Sequence, residues 1–581
     1  MTKNKFTWKV GGEAGSGTMT TGVMMGKLLV RGGLFVFGYP EYPSLIRGGH
    51  NSYQVHCSNE PVTSQIHEIN LLVALHRETI DQHLSEMSAG GAIIYDEQAD
   101  DMKDLQIERK DVKYLHVPLM EITKDVGGNP VMRNTVALGA SVGLLDYSME
   151  KLMDIIEFAF IKKGDKVVKQ NQEVAKQGYE FAKEKYADDF EWKAEVQEDF
   201  TKRMYLTGND AIVAGAIRGG LQMYCAYPMT PASGILHGLA ANEELYNIVV
   251  KHTEDELAAM NMAIGGNVAG VRTMTGTSGG GFALMTEAFG MAGINEAPLV
   301  AVEVQRAGPS TGLPTWTAQA DLRFVLHASH GDFPRILITP GDANECFEHT
   351  VTALNLAEIY QLPVLILSDK YVGASHQTVD TFDESWIHLD RGKLIAGNKA
   401  PKNYLRYELT PDGISPRAVP GQKGGEHIAS SYEHDETGFT TEDPDMTIKQ
   451  NDKRYKKIET LIKENADLLK PIRFGLEEAD VTIISWGSTK LPILEALKLF
   501  EDEGMKVNFY HYIYIAPFPV TETKRIMETS KKTFLIEGNK TAQFGSIIKE
   551  NTGYDVDEMM LCYTGRPFYP EDIFEEVKKI I

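Results

Sequence analysis

The chain has 581 residues, a hydrophobic content of 43% and a formal net charge of −23 at pH 7. Its length predicts three or four compact units rather than one domain. The negative charge disfavours nucleic acid and anionic membrane surfaces as partners, because both would repel the chain. No apolar run reaches the length of a membrane-spanning helix, and the start of the chain lacks a signal-peptide pattern, so we expect a cytoplasmic protein.

The cysteines are far apart in the sequence. Cys57, Cys225, Cys346 and Cys562 include no Cys-x-x-Cys pair, which argues against a zinc ribbon or a ferredoxin-type cluster motif. We therefore expect ordinary thiols in a reducing compartment, and no metal site on this chain.

Strand and helix signals alternate along the chain, which predicts a multidomain α/β fold with parallel strands. A strand pattern at 6–10 and a helical stretch over 20–30 open the first unit, whose charged end over 149–200 is expected to be a trailing linker. Residues 381–470 lack clear periodicity, which is typical of a functional or disordered excursion. The predicted units are 1–190 with its linker, 200–380, a long interface excursion over 381–470, and 471–581.

The first unit contains a glycine-rich turn, GGEAGSGT, at 11–18. Glycines between a strand and a helix let backbone N–H groups approach a phosphate, and the helix N-terminus adds partial positive charge. A Walker A loop would need a lysine after Gly17, where this chain has Thr18, so an NTPase is disfavoured. A tight strand–helix turn without a ligand is the alternative interpretation.

Two segments of the second unit concentrate rigid or acidic residues. In the run AYPMTPAS at 226–233, two prolines fix the backbone around Thr230. The run HTEDEL at 252–257 places carboxylates at a helix start, where the helix dipole stabilises them. A rigid strand-to-helix connection and a solvated helix start are the alternatives.

Two further segments are rich in glycine. MTGTSGGGF at 274–282 brings four glycines together, which either draws the backbone against a flat group or simply forms a loop. VQRAGPSTGLPT at 304–315 places Arg306 in a glycine/proline loop after a buried strand. An arginine there suits bidentate recognition of a carboxylate, and a surface salt bridge is the alternative.

Together these four segments resemble the alpha subunit of 2-oxoacid:ferredoxin oxidoreductases, where they form the pyrimidine-binding domain for thiamine diphosphate. The resemblance extends to QAD at 319–321 and DGISPR at 412–417. The glycine turn, with IRGG at 46–49 and MRN at 132–134, resembles the family's gamma domain. The last unit is similar to a transketolase-C-like domain, so nearly the whole chain is covered in the order of fused gamma–alpha members of the 2-oxoglutarate type.

The departures from the family pattern are modest. Met229 stands where isoleucine is usual, Ala232 where serine is common, and Gly280 where the family has proline. None of them removes a group that carries chemistry, although Gly280 alters the loop beside the cofactor.

The resemblance implies roles for individual residues. A carboxylic acid must hold N1′ of the aminopyrimidine ring, and the acidic run assigns this to Glu256, with Glu254 as the alternative. Thr230 would hydrogen-bond the keto acid, and Arg306 would bind its carboxylate. The remaining residues implied beside thiamine diphosphate are Tyr227, Pro228, Thr277 and Ser278. The residues implied at a coenzyme A site are Gly12, Ser16, Gly17 and Thr18, with Arg47 and Asn129 as further candidates.

Half of a thiamine site is missing from the sequence. No Gly-Asp-Gly run is followed at the expected distance by the asparagine that would complete a Mg²⁺ and diphosphate motif. The family resemblance implies a separate beta subunit that carries Mg²⁺ and a [4Fe–4S] cluster, ferredoxin as electron acceptor, and a two-fold heterotetramer. A large apolar face is therefore expected near Thr230, Glu256 and Ser278.

The expected activity is the CoA-dependent oxidative decarboxylation of a 2-oxoacid, with 2-oxoglutarate converted to succinyl-CoA and CO₂. Pyruvate or branched-chain 2-oxoacids are alternative substrates. A non-catalytic CoA-binding regulator on the same fold is a second class of function, which intact Thr230, Glu256 and Arg306 disfavour.

Overall fold

The glycine turn lies between a buried strand and a helix, as the sequence predicts. A computed structural model describes residues 2–45, 48–106 and 108–581. Strands of the first unit are β1 Thr2–Lys3, β2 Phe6–Glu13, β3 Phe35–Glu41, β4 His50–Ser58, β5 Ile69–Ala74, β6 Met87–Tyr95, β7 Lys113–His116 and β8 Trp192–Lys193. Its helices are α1 Thr18–Arg31, α2 Arg77–His83, α3 Leu119–Asp125, α4 Arg133–Leu144, α5 Met149–Phe160 and α6 Asp165–Tyr186.

The second unit and the segment that follows it continue the α/β alternation. The strands are β9 Arg203–Thr207, β10 Met223–Ala226, β11 Val249–His252, β12 Thr273–Thr277, β13 Val300–Gln305, β14 Ile336–Ile338, β15 Val364–Asp369 and β16 His376–Asp380. The helices are α7 Gly208–Arg218, α8 Ser233–Ala241, α9 Glu243–Tyr246, α10 Glu256–Val268, α11 Gly279–Ile294, α12 Leu322–Leu326, α13 Ala343–Tyr360, α14 Lys370–Ala374 and α15 Pro444–Glu464.

The last unit is smaller. Its strands are β17 Ile472–Gly475, β18 Val481–Trp486, β19 Val507–Tyr512, β20 Tyr514–Ala516, β21 Thr533–Glu537 and β22 Glu558–Leu561. Its helices are α16 Lys490–Asp502, α17 Val520–Thr529, α18 Gln543–Thr552 and α19 Pro570–Lys578. Short 3₁₀ turns lie at Leu84–Glu86, Pro130–Met132, Ile161–Lys163, Ala187–Asp189 and Gly487–Thr489. The chain is thus a multidomain α/β protein with several parallel-rich sheets.

The first sheet includes two strands, β16 and β9, from outside the first unit. Its order is β7-β6-β5-β2-β4-β3-β16-β9. The strands β7, β6, β5 and β2 are parallel, as expected, whereas β4, β3, β16 and β9 pair antiparallel. The strand over 203–207, which the sequence places at the start of the second unit, therefore belongs to the first sheet.

The expected trailing linker is instead part of the first core. Helix α6 packs so closely on α4 that a Cβ at Gly139 or Gly143 would collide with the α6 backbone. The buried face of α6 includes Val174, Ala175 and Tyr179. Its composition is charged because the remaining faces point to solvent, and close backbone approach through small residues replaces a wide apolar stripe.

The second sheet positions the central motifs. Its order is β11-β10-β12-β13-β15-β14-β20, parallel throughout except that β20 of the last unit pairs antiparallel with β14. The third sheet has the order β17-β19-β18-β21-β22. Within the excursion, α15 is fixed to the second unit by buried ion pairs from Lys453 and Lys457 to Glu296, at 2.7 Å and 2.5 Å.

No helix in the described ranges combines the length and apolar composition needed to cross a bilayer.

Candidate functional site

The central motifs meet at one edge of the second sheet. The run after β10 contains Thr230, β12 ends at Thr277, Arg306 follows β13, and β15 ends at Asp369. Because these strands are parallel, their carboxyl ends lie at the same edge, which is where α/β sheets bind ligands.

Glu256 is the first residue of α10 and is 3% exposed. Asp255 caps this helix through the Ala258 N–H, at 2.8 Å, so the cap does not use the Glu256 side chain. Within the part of the chain that the structure describes, Glu256 Oε1 has no hydrogen-bond partner. Buried carboxyl oxygens are almost always paired, so this atom fits the ring nitrogen of an aminopyrimidine.

The glycine run packs closely against this carboxyl group. A Cβ at Gly281 would lie 2.6 Å from Glu256 Oε1 and would collide with Thr277 Oγ1. The hydroxyl of Ser278 is fully buried, does not cap α11, and finds no partner among the described residues. Gly280, by contrast, has open space where a Cβ would stand.

Arg306 and Thr230 are brought together. Arg306 Nη1 donates a hydrogen bond to the Thr230 carbonyl oxygen at 2.9 Å. Arg306 Nε is buried and has no acceptor in the described ranges. Burial lowers the pKa of Arg306, but a guanidinium remains charged at neutral pH. One edge of the fork is therefore available to an anionic ligand.

The other residues expected beside the cofactor lie nearer the surface. Glu254 is exposed, unlike Glu256 two residues later, and Pro228 is half-buried. Tyr227 is 38% exposed, and its ring packs edge-on against His252 at 5.9 Å. Burial therefore favours Glu256 over Glu254 as the acid beside the pyrimidine ring.

An apolar surface flanks Glu256, near the position where one is expected. Leu257 and Met262 on α10 are 45% and 36% exposed, and Leu284 on α11 is 49% exposed. Both helices carry apolar residues on their outer as well as their inner faces. The described residues contain no cluster of His, Cys, Asp or Glu arranged to hold a metal ion.

The glycine turn leaves backbone N–H groups available at the start of α1, whereas the Ser16 hydroxyl is hydrogen-bonded within the turn. Gly17 caps α1 in a left-handed conformation, φ 92°, without a side-chain cap, so the first-turn N–H groups remain available. Ser16 Oγ donates to the Glu13 carbonyl at 2.6 Å and lies 3.0 Å from Thr18 Oγ1. The Ser16 proton is thus engaged inside the turn. A Cβ at Gly12 would lie 2.8 Å from Thr18 Oγ1.

A cleft of about 470 Å³ opens beside this turn. Gly17, Asn129, Asn134 and Lys163 are among its lining residues. Asn129 Oδ1 accepts a hydrogen bond from the Val131 N–H at 3.0 Å, while Asn134 Oδ1 is buried without a partner in the described part of the chain. Arg47 lies outside the described residues.

Several residues at these sites were not among the predicted ones. Asn134 belongs to the MRN run that resembles the gamma domain, but it was not assigned to the site, and no local pattern connects Lys163 to the glycine turn. Glu303 and Asp321 lie beside the glycine run at 279–281. A glutamate inside the apolar strand VAVEVQ is the signal that identifies Glu303, because such a carboxyl must be buried.

Comparisons with known proteins agree with this geometry. Residues 214–453 match the family model "Pyruvate flavodoxin/ferredoxin oxidoreductase, thiamine diP-bdg", and residues 7–181 match "Pyruvate ferredoxin/flavodoxin oxidoreductase". A 2-oxoacid:ferredoxin oxidoreductase subunit alpha from Saccharolobus solfataricus is 32% identical, over 99% of this chain and 98% of that protein.

Two further relatives bear on the substrate. The 2-oxoglutarate synthase subunit KorA of Methanothermobacter thermautotrophicus is 32% identical over 65% of this chain and 99% of its own length. The structure of 2-oxoglutarate:ferredoxin oxidoreductase from Magnetococcus marinus, with 2-oxoglutarate, coenzyme A and succinyl-CoA bound, superposes with a TM-score of 0.91. It is 34% identical and covers 99% of both chains. The chain therefore belongs to the family of 2-oxoacid:ferredoxin oxidoreductase alpha subunits.

Proposed function

We propose that this chain is the fused gamma–alpha subunit of an enzyme that oxidatively decarboxylates 2-oxoglutarate to succinyl-CoA and CO₂ and passes the electrons to ferredoxin. The observation that carries the proposal is the buried, unpartnered Oε1 of Glu256, at the same sheet edge as Arg306 and Thr230. Residues 1–190 would bind CoA, 200–380 the pyrimidine ring, 381–470 would serve an interface, and 471–581 would form the transketolase-C-like unit.

Glu256 would hold N1′ of the thiamine pyrimidine ring and exchange a proton with it. When bound, thiamine diphosphate supplies the carbanion that attacks the 2-keto carbon and accepts the charge left after CO₂ departs. Thr277, Ser278 and the glycine run would border the ring, because they lie beside the Glu256 carboxyl group and the Ser278 hydroxyl is buried without a partner in the described ranges. Tyr227 and Pro228 would border the ring, and Glu254, being exposed, is the less suitable acid.

Arg306 would bind the carboxylate of the 2-oxoacid, and Thr230 would orient the keto acid. Arg306 is already fixed by the Thr230 carbonyl at 2.9 Å, so the donor that remains is pre-organised for a planar anion. A pre-organised donor costs little reorganisation when substrate binds.

The turn at Gly12, Ser16, Gly17 and Thr18 would bind a phosphate of coenzyme A. Its support is the uncapped N-terminus of α1 next to a cleft of about 470 Å³. Asn129 lines the same cleft, and we retain Arg47 as a candidate from the sequence alone.

A beta subunit would supply Mg²⁺, the diphosphate site and a [4Fe–4S] cluster, and would cover the apolar surface at Leu257, Met262 and Leu284. Pairs of this kind would assemble into a two-fold heterotetramer. The free thiols suit the reducing cytoplasm.

The choice of 2-oxoglutarate is supported by the ligands named for the Magnetococcus marinus relative and by the name of the KorA relatives. Pyruvate and branched-chain 2-oxoacids are the alternatives. The test is to co-express this chain with its beta subunit and to follow viologen reduction with each 2-oxoacid in turn. Faster turnover of pyruvate than of 2-oxoglutarate would transfer the proposal to pyruvate.

A further inference from the structure

A glutamate lies inside a buried strand, two residues before the strand ends next to the proposed substrate site. Glu303 on β13 is 0% exposed and stands in register with Thr277 on β12. If Glu303 is ionised, neither of its oxygens receives a hydrogen bond from any described residue. A buried carboxylate without donors is strongly destabilising, so this group requires a proton or a cation.

The nearest acidic partner is Asp321. A Cβ at Gly279 would lie 2.6 Å from Asp321 Oδ2 and 3.3 Å from Glu303 Oε1, so both carboxyl groups converge on the first residue of α11. Burial, and then the charge of Asp321, raises the pKa of Glu303 well above its usual range. Burial also raises the pKa of Asp321. One shared proton turns Glu303 into the donor that the pair otherwise lacks.

The pair is connected to Arg306. Arg306 follows β13 directly, and the Asp321 N–H donates to the Gln305 side-chain oxygen at 3.1 Å. The Asp321 charge counteracts the effect of burial on the pKa of Arg306. The guanidinium thus donates to the Thr230 carbonyl, at 2.9 Å, and is influenced electrostatically by Asp321.

We infer that Glu303 and Asp321 are positioning residues for Arg306, sharing a single proton beside the guanidinium that receives the carboxylate of the 2-oxoacid. This inference rests on the proposed function and identifies residues that set its substrate affinity. With one proton, the pair balances the Arg306 charge and leaves its fork directed at Thr230 and the substrate.

Loss of that proton has a defined consequence. Two adjacent negative charges would draw the guanidinium towards Asp321 and would repel the substrate carboxylate, since a low-dielectric site strengthens both effects. Among the described residues, other charged groups at this edge include Glu256, across the glycine run on α10, and Asp369 at the end of β15, which Lys370 follows. Asp369 accepts hydrogen bonds from the backbone N–H groups of Tyr371 and Val372, at 2.8 Å and 3.1 Å. The substrate KM should therefore rise as the pH becomes alkaline.

The experiment measures kcat and KM for 2-oxoglutarate against pH on the complex of this chain with its beta subunit. In Glu303→Gln, the amide still donates to Asp321 but cannot ionise, so the alkaline rise in KM attributable to the pair should disappear. The kcat/KM at neutral pH should fall about fivefold, the scale of one weakened hydrogen bond. Glu348→Gln on α13 is the control for the chemical change from carboxyl to amide, because that side chain lies on the exposed face of a helix outside the proposed site. Its profile should match the wild type.

Asp321→Asn provides a second, independent test if Glu303→Gln does not fold. It removes the charge beside Arg306 but leaves Glu303 able to ionise, so KM should rise already at neutral pH and the further alkaline rise in KM should be smaller than in the wild type. An active wild type whose pH profile coincides with that of Glu303→Gln overturns this inference alone. Variants that melt earlier but keep the wild-type KM and pH profile also overturn it, because the pair would then only support the fold. A complex inactive with every 2-oxoacid overturns the proposed function as well.

Discussion

Replacing Glu256 with glutamine tests the proposed chemistry with the smallest change in shape. The substitution exchanges one carboxyl oxygen for an amide and keeps the side-chain volume, so the space next to Gly281 stays filled as before. The turnover number should fall about 10²-fold or more, the usual effect of removing an acid–base group. That loss corresponds to about 2.7 kcal/mol of activation free energy.

The effect on folding should be much smaller. Glu256 stands at the first position of α10, where a carboxylate contributes ~0.3–1 kcal/mol through the helix dipole. Its Oε1 accepts no hydrogen bond from the described residues, so the substitution breaks none there. The catalytic loss therefore exceeds any loss of folding free energy, and the two can be measured separately.

The assay is viologen reduction by the complex with its beta subunit, at saturating thiamine diphosphate and 2-oxoglutarate. Glu254→Gln is the matched control, since that side chain is exposed two residues away, and it should retain most of the activity. Near-wild-type turnover by Glu256→Gln would refute the assignment, and an equal loss in Glu254→Gln would show that the whole acidic run acts together.

The remaining predictions concern the substrate arginine, the glycines and the assembly. Arg306→Lys should raise the KM for 2-oxoglutarate at least about tenfold, because lysine cannot form the planar fork; an unchanged KM would make Arg306 structural. Gly281→Ala should abolish turnover, since its Cβ would lie 2.6 Å from Glu256 Oε1, whereas Gly280→Ala meets nothing within 4 Å and should stay active. Gly17→Val should raise the KM for coenzyme A but spare CoA-independent acceptor reduction, and Gly164→Val controls for positive-φ strain; equal loss of both activities would make the turn a packing element. The chain purified alone should be folded, colourless and inactive, and added beta subunit should restore colour and viologen reduction; stoichiometric iron on the isolated chain would contradict this division of labour.

Local signals in the sequence located most of the elements that carry the site. The strand–glycine–helix pattern at the N-terminus corresponds to β2 and α1. The contact between Arg306 and Thr230 agrees with the rule that parallel strands deliver their following loops to one edge. The sequence favoured Glu256 and kept Glu254 as the alternative, and burial of Glu256 at the start of α10 supports the first choice.

The parts that the sequence did not locate depend on contacts between distant segments. Strands β9, β16 and β20 pair with strands of neighbouring units. The sequence of a short strand does not indicate which strand it pairs with. Helix α6 resembles a linker in composition because backbone approach at Gly139 and Gly143 replaces a broad apolar stripe. The engagement of the Ser16 proton by Glu13 likewise follows from the turn's geometry rather than from its residue types.

Several buried polar atoms at the carboxyl edge of the second sheet have no hydrogen-bond partner among the described residues. Glu256 Oε1, Ser278 Oγ and Arg306 Nε are buried there without partners in the described ranges, although native proteins pair nearly all such atoms. None of the three atoms forms a hydrogen bond within the described fold. Glu256 Oε1 can pair with a ring nitrogen, Ser278 Oγ is a hydroxyl, and Arg306 Nε can donate to a carboxylate. Beside them, Leu257 and Leu284 remain exposed at 45% and 49%. Buried polar groups without protein partners and exposed apolar side chains occur at the same place, which is the arrangement expected where a cofactor is enclosed between two subunits.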